Sequence, residues 1–200
     1  MRPIKESTYN AIKSRSLIGD NRFNHKVTIE GASGPPTQDV EEPSNVILVS
    51  TAEELNNVRN NLSGYYRQTR DIDLSGIANW EPIGDYPAAT PFTGTYDGGG
   101  YKILNMKTAS YVVSVNQYGA KISKDGLGLF GYVFNGNLKR IHLENVNVTA
   151  HAVMDSIGTL VGYLRDSNVD DCSATGNVYY YDHSYIGGLI GYVSQYDDAN

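Results

Sequence analysis

The stretches GLFGYV (128–133), TLVGYL (159–164) and GLIGYV (188–193) are one short apolar pattern written three times. Their central glycines, Gly131, Gly162 and Gly191, stand 31 and 29 residues apart. A period of that length belongs to stacked repeat architectures, in which each unit is too small to bury its own apolar face and the copies bury it jointly. The flanks repeat as well. Leu138, Ile141 and Leu143 are answered 31 positions on by Val169, Cys172 and Ala174, so strand, tight turn and strand recur as one unit.

Coiling the chain so that successive units lie parallel gives a β-solenoid. Leu129, Leu160 and Leu189 then form one internal file, and Val133, Leu164 and Val193 a second. The glycine between them suits a tight bend or the close approach of another segment. Phe130, Val161 and Ile190, with Tyr132, Tyr163 and Tyr192, are expected to face away from that interior. The three tyrosines form either a ladder packed under a second layer or a surface aromatic stripe that binds something.

The rest of the chain divides around this stack. Residues 1–31 read as a separate attachment segment, with a short helix in KESTYNAIKSR (5–15) and a strand in NHKVTIEG (24–31) by its alternation. ASGPPTQDVEEPS (32–44) is a Pro-rich acidic linker. The repeat domain, 45–200, opens with the apolar run NVILVST. Thr51 and Glu54 have capping-box spacing, and Leu55, Val58 and Leu62 give a helical stripe, which predicts a helix over 51–62 ended by Gly64. Such a helix closes the N-terminal end of the stack, where strand edges would otherwise stand unpaired. YYRQTRDIDLSG (65–76) reads as an alternating strand, with Ile72 and Leu74 on one parity and Asp71 and Asp73 on the other. Residues 108–125 interrupt the series as an inserted loop or hairpin. SQYDDAN ends inside a copy with no visible cap, and a homotrimer is one arrangement that would cover that end.

Composition fits strands and turns better than helices: 21 Gly and 16 Tyr against one Trp and four Phe. The formal charge of −6 is uneven, with six basic and two acidic side chains in residues 1–28 but nine against fourteen in 61–200. An acidic body offers no basic face to nucleic acid, and the basic N-terminus lacks a stacking platform. No stretch approaches the ~18 apolar residues of a membrane span. The N-terminus also lacks the apolar region of a secretion signal, so the expectation is a cytoplasmic chain or one that leaves the cell by a signal-independent route.

RDIDLSGIANWEPIG, PFTGTYDGGGYKI and the three GLFGYV-type stretches together closely resemble the GLUG-motif repeat proteins of bacterial surface adhesins, secreted-peptidase flanks and some phage proteins. The likeness covers about residues 45–200, and Thr159 stands where the pattern usually has glycine. It implies a mainly β fold, a right-handed parallel β-helix, with a non-enzymatic adhesive or scaffold role. Residues 1–30 are more loosely similar to the opening of tail-associated proteins of long-tailed phages.

The run VYYYDHSY (178–185) places Tyr179, Tyr180, Tyr181, Asp182, His183 and Tyr185 at a loop between strands, able to stack on sugar rings and hydrogen-bond their hydroxyls, or to cover an edge. Asp71 and Asp73 put two carboxylates on one strand face; solvated polar residues are the simpler reading than a Ca²⁺ site. Asp97 before GGG is a turn former. Asp170 and Asp171 point to opposite faces and cannot act as an adjacent acid–base pair. His142, His151 and His183 have no ligand spacing. Cys172 is a small core residue, and Trp80 packs from a loop on the first coil. No catalytic residue, metal or cofactor is expected. The functional expectation is a structural, adhesive virion protein of a phage tail that presents a β-helix to a host-surface glycan or receptor. It would be attached to other virion or surface proteins through residues 1–31. A bacterial cell-surface, extracellular adhesin is the alternative, and a polysaccharide depolymerase the third reading.

Overall fold

The computed structural model describes residues 27–29, 44–86, 89–110, 112–115, 121–123, 126–150, 156–180 and 185–195. Among them the chain is mainly β, with one short α-helix. Four parallel sheets carry the architecture. The outer sheet pairs Val46–Val49, Tyr65–Gln68, Thr95–Asp97, Asn137–Lys139 and Asn168–Asp170 in that order. The long sheet pairs Ile72–Asp73, Lys102–Leu104, His142–Thr149 and Cys172–Tyr179, with Lys107–Ala109 beside the second half of His142–Thr149. A tyrosine sheet pairs Phe130–Phe134, Val161–Arg165 and Ile190–Ser194, and a short sheet pairs Gly126–Leu127, Ser156–Ile157 and Tyr185–Ile186.

The units that begin at Thr95, Asn137 and Asn168 give strands to all four sheets, whereas Val46–Val49 joins only the outer sheet and the Tyr65 unit only the outer and long sheets, and the register is the repeat itself. Leu138 lies against Val169, Leu143 against Ala174, and Tyr132 against Tyr163 and then Tyr192. The turns between sheets stack too. Asn135 and Asp166 hold φ of 53° and 45°, and Arg140 and Asp171 hold 53° and 45°. This is the left-handed region that Asn and Asp tolerate best among residues with a Cβ. At a further corner Asn105 Nδ2 donates to Asp73 Oδ1 at 2.9 Å, and Asn145 Nδ2 donates to Asn105 Oδ1 at 2.7 Å.

Leu129, Leu160, Leu189, Val133 and Leu164 are fully buried, as their parity predicts, and Val193 is partly buried. The expectation for Phe130, Val161 and Ile190 is overturned: all three are core residues. The Phe130 ring centre lies 5.0 Å from that of Phe92 and 5.9 Å from that of Tyr96, both fully buried. Strict alternation fails at Gly131, whose backbone lies against Gly84 and the short-sheet residue Gly126. The crossing repeats one unit on, where a Cβ on Gly162 would come within 2.6 Å of the Gly126 Cα. Glycine is thus required because two backbones cross.

The N-terminal helix forms with its expected cap. In α1, Ala52–Asn57, Glu54 N donates to Thr51 Oγ1 at 3.1 Å, and the Glu54 carboxylate accepts from Thr51 N and Ser50 N. It is shorter than predicted, because a 3₁₀ turn over Val58–Asn60 takes its place and ends before Gly64. Leu55 and Val58 plug the core, and Leu62 packs partly against it. The insertion is a hairpin, Val112–Val115 against Lys121–Ser123, and it starts later than 108 because Lys107–Ala109 still belongs to the stack. Finally, Val27–Ile29 pairs antiparallel with Cys172–Ala174 at the far edge of the long sheet. The open edge expected at the C-terminal end is there covered by the N-terminal segment. The helix expected at 5–15 lies outside the described residues.

Candidate functional site

The outer face of the tyrosine sheet carries an aromatic strip. Parallel register sets Tyr132 and Tyr163 face to face at 5.0 Å between ring centres, with Tyr192 next at 5.2 Å and tilted by 49°. The strip is neither wholly packed nor wholly open. Tyr86, from a loop of the preceding unit, meets Tyr132 and Tyr163 edge-on at 5.4 and 4.8 Å. At the other end Tyr185 lies 4.8 Å from Tyr192. Exposure rises along it, from 6% at Tyr132 to 38% at Tyr192 and 51% at Tyr185, with Tyr86 at 45%.

The polar edges of these rings are held in place. The Tyr163 and Ser194 hydroxyls are 2.9 Å apart, joining adjacent strands. Burial pushes the Tyr132 hydroxyl above its ordinary pKa, against a smaller opposing pull from Arg165. The Arg165 guanidinium lies 5.2 Å over the Phe134 ring, which stacks beside Tyr132. Fixed aromatic faces with neutral hydroxyls and an adjacent guanidinium can stack on the apolar faces of sugar rings and hydrogen-bond their hydroxyls.

Of the residues singled out in 178–185, Tyr185 joins this strip. Tyr179 ends its strand half-buried, and Tyr180 packs partly against the core. Tyr181, Asp182 and His183 lie outside the described residues. Tyr86 was missed by sequence reasoning because it belongs to no repeat position, and only the fold brings it onto the ladder.

A second ladder was also missed. Register across the outer sheet aligns Arg67, Asp97, Lys139 and Asp170, alternating in charge. Asp97 is fully buried, yet Arg140 Nε donates to its Oδ1 at 2.9 Å, Lys139 Nζ lies 3.4 Å and Arg67 Nη2 3.7 Å from its Oδ2, and Gly99 N donates at 3.0 Å. Burial works to raise this carboxyl, but the Arg140 and Gly99 hydrogen bonds and the Lys139 charge outweigh it and hold it below the ordinary aspartate range. Asp97 does form the expected turn through Gly99; its larger role is to bind the units together.

The other candidates take structural roles. Asp71 Oδ1 accepts from Lys102 N at 2.8 Å, and Asp73 Oδ1 accepts from Ser75 N at 2.8 Å, so both carboxylates cap backbone of their own or the next unit. Among the described residues no cluster of three His, Cys, Asp or Glu could hold a metal ion. Cys172 is buried in the file of Ile141, and burial pushes its thiol up to about 12, far from nucleophile chemistry. His142 Nδ1 lies 2.9 Å from Ser173 Oγ in the next strand. Trp80 is a core residue whose Nε1 donates to Leu129 O at 3.1 Å, tying its loop to the following unit. No helix among the described residues is long and apolar enough to cross a membrane.

Comparison with known proteins agrees with the repeat. The chain is 34% identical over 130 residues to a protein named "Putative Gly-rich membrane protein" from Evansella cellulosilytica, a match covering 59% of this chain and 13% of that protein. It is 30% identical over 162 residues to Halomucin of Haloquadratum walsbyi, covering 76% of this chain and 2% of that protein. The chain thus spans a small fraction of the length of these relatives. No solved structure matches it. The family model described as "The GLUG motif" matches residues 156–179. Those bounds are one whole unit of the stack, from the short-sheet strand at Ser156 to the end of the long-sheet strand at Tyr179, and this segment is a GLUG motif.

Proposed function

We propose that this chain is a non-enzymatic adhesive module that binds glycan along the strip of Tyr86, Tyr132, Tyr163, Tyr192 and Tyr185. The observation that carries the reading is the strip itself: five rings in one contact chain, most buried at Tyr132 and open at Tyr86 on one side and at Tyr192 and Tyr185 on the other. We take the units to wind as a right-handed parallel β-helix. The support is parallel pairing between successive units in all four sheets, together with the strong right-hand preference of parallel crossover connections. A helix of this kind presents repeated side chains at strand spacing, about 4.8 Å, so an extended polymer can run along the strip.

The carrier is an outer surface. Both named relatives are far longer than this chain, and one is named as a membrane protein, which favours a cell-envelope protein in which such modules recur. The likeness of residues 1–30 to phage tail proteins supports a virion carrier as the second reading. Immuno-electron microscopy of the native source separates the two, by label on the envelope or label on tails. Binding is tested by affinity electrophoresis through gels containing neutral or acidic polysaccharides. Retardation by at least one polymer, lost in the Tyr185→Ala, Tyr192→Ala double variant, is expected. Retardation by none, or retardation unchanged in the variant, contradicts the reading. A fall in polymer viscosity on incubation would instead mark a depolymerase.

A further inference from the structure

The outward face of the tyrosine sheet carries two files of side chains. Tyr132, Tyr163 and Tyr192 form one, and parallel register sets Phe134, Arg165 and Ser194 beside them as the other. The strands of this sheet, FGYVF, VGYLR and IGYVS, contain a single charged residue, Arg165. Its charge is already met. Arg165 Nε lies 3.5 Å from Asp166 Oδ2 at the following corner, and the guanidinium lies 5.2 Å over the Phe134 ring. A second acid, Asp85, precedes Tyr86 in a turn that Asp85 and Thr90 close with backbone hydrogen bonds of 2.9 and 3.0 Å. Among the described residues of the sheet, its corners and the Tyr86 turn, one cation thus stands with two carboxylates, in a chain whose formal net charge is −6. A polyanion needs a surplus of cations to offset repulsion and the desolvation of its own charges, and this face has none.

The hydrogen-bonding groups on this face are of the kind that read uncharged hydroxyls. The Tyr163 and Ser194 hydroxyls, half-buried on adjacent strands, are 2.9 Å apart. One donates to the other, which leaves the pair one O–H and unused lone pairs, a donor beside an acceptor. Two neighbouring hydroxyls of a pyranose ring offer the same couple at a similar separation. Arg165, its charge met by Asp166, still has N–H groups suited to neutral acceptors. With the tyrosine strip as the binding surface, we propose that its ligand is a neutral polysaccharide, held by stacking on the exposed rings and by the Tyr163–Ser194 hydroxyl pair acting on vicinal sugar hydroxyls, with no ionic contact. The class of polymer follows from the balance of charge around the rings, and the rings alone would not distinguish it.

The test is frontal chromatography of the full chain on immobilised polymers, with hydroxyethylcellulose and galactomannan as neutral probes and alginate and dextran sulfate as acidic ones. Each is run at about 0.02 M and about 0.5 M salt, the higher of which screens exposed charges. The expected result is retardation by at least one neutral polymer that changes less than about two-fold between the two salts. Ser194→Ala, which keeps every ring, should weaken that retardation about three-fold or more. The Tyr185→Ala, Tyr192→Ala double variant should abolish it. Retardation by acidic polymers through the six basic side chains of residues 1–28 is expected to vanish at the higher salt and to persist in both variants at the lower. Acidic-polymer retardation that the double variant loses overturns the neutral class and leaves the strip as the site. Neutral-polymer retardation that Ser194→Ala leaves unchanged overturns the hydroxyl pair as its reader. Retardation by no neutral polymer, with none by acidic polymers that depends on the tyrosines, contradicts the strip itself and the proposal with it.

Discussion

Two ladders cross this stack on consecutive faces, and they are built on different rules. On the tyrosine sheet, like stands on like: Tyr132, Tyr163 and Tyr192 come from equivalent positions of three sequence units. On the outer sheet, Arg67, Asp97, Lys139 and Asp170 come from positions whose residues do not repeat, and they alternate in charge. The first ladder ends in exposed rings, whereas the second closes on a buried carboxylate. Repetition generates a surface that can be extended, and complementary departures from repetition lock neighbouring units to one another. Binding and stability are thereby assigned to different faces.

The largest effect is expected where the locking ladder is cut. Asp97→Ala leaves Arg140, Lys139 and Arg67 facing one another around an emptied site, and should cost about 3–5 kcal/mol in denaturant unfolding. The same group sets the acid limb of stability. Its carboxyl is held below the ordinary range in the folded chain, so its contribution is present above about pH 4 and is lost as pH falls through the lowered value. The Asp97→Asn variant should therefore show a flatter decline in stability below pH 4 than the parent. An equally steep decline would remove Asp97 from the account of acid unfolding.

Second in size is the close backbone approach at the repeated glycine beside the tyrosine sheet. Gly162→Ala drives a methyl into the Gly126 backbone, and should cost about 2–3 kcal/mol or prevent folding. Gly76, with nothing within 4 Å of an added Cβ, is the control and should accept alanine within about 0.5 kcal/mol. Equal costs at the two positions would remove the crossing as the reason for the repeated glycine.

The smallest effects separate the middle of the tyrosine ladder from its open end. Tyr163 contacts three rings and Ser194, so Tyr163→Ala should lower stability by about 2 kcal/mol. Tyr192 contacts two rings at a more open position, so Tyr192→Ala should cost under about 1 kcal/mol while reducing polysaccharide retention. If Tyr192→Ala destabilises as much as Tyr163→Ala, the strip is packing along its whole length.

The sequence made legible whatever repeats or caps locally. The pairing of Leu138 with Val169 and Leu143 with Ala174, the Thr51–Glu54 capping box, the core position of Cys172 and the close approach at Gly131 were all readable from spacing and residue type. Phe130 was misplaced because alternation was carried through a glycine at which the backbone bends. Asp97 read only as a turn residue, since its cations lie 30 to 43 positions away across loops of unequal length and no local pattern joins them. The strand in 24–31 was legible by its alternation and forms at Val27–Ile29, but its pairing with Cys172–Ala174 and the place of Tyr86 were hidden for the same reason: each reaches the stack from a segment outside the period. For the candidate site, the ladder was legible as a column, but its two exposed flanking rings, Tyr86 and Tyr185, are joined to it by no periodicity.

The most direct test of the division between faces is the NMR spectrum of the chain with ¹³C-labelled tyrosine rings, titrated with a polysaccharide that retains it in the gel. The expected result is perturbation of the Tyr86, Tyr185 and Tyr192 rings, a weaker response at Tyr163, and none at Tyr66 and Tyr96, which lie in the core. Perturbation confined to other tyrosines, or an unchanged spectrum at saturating polymer, would contradict the strip as the binding surface.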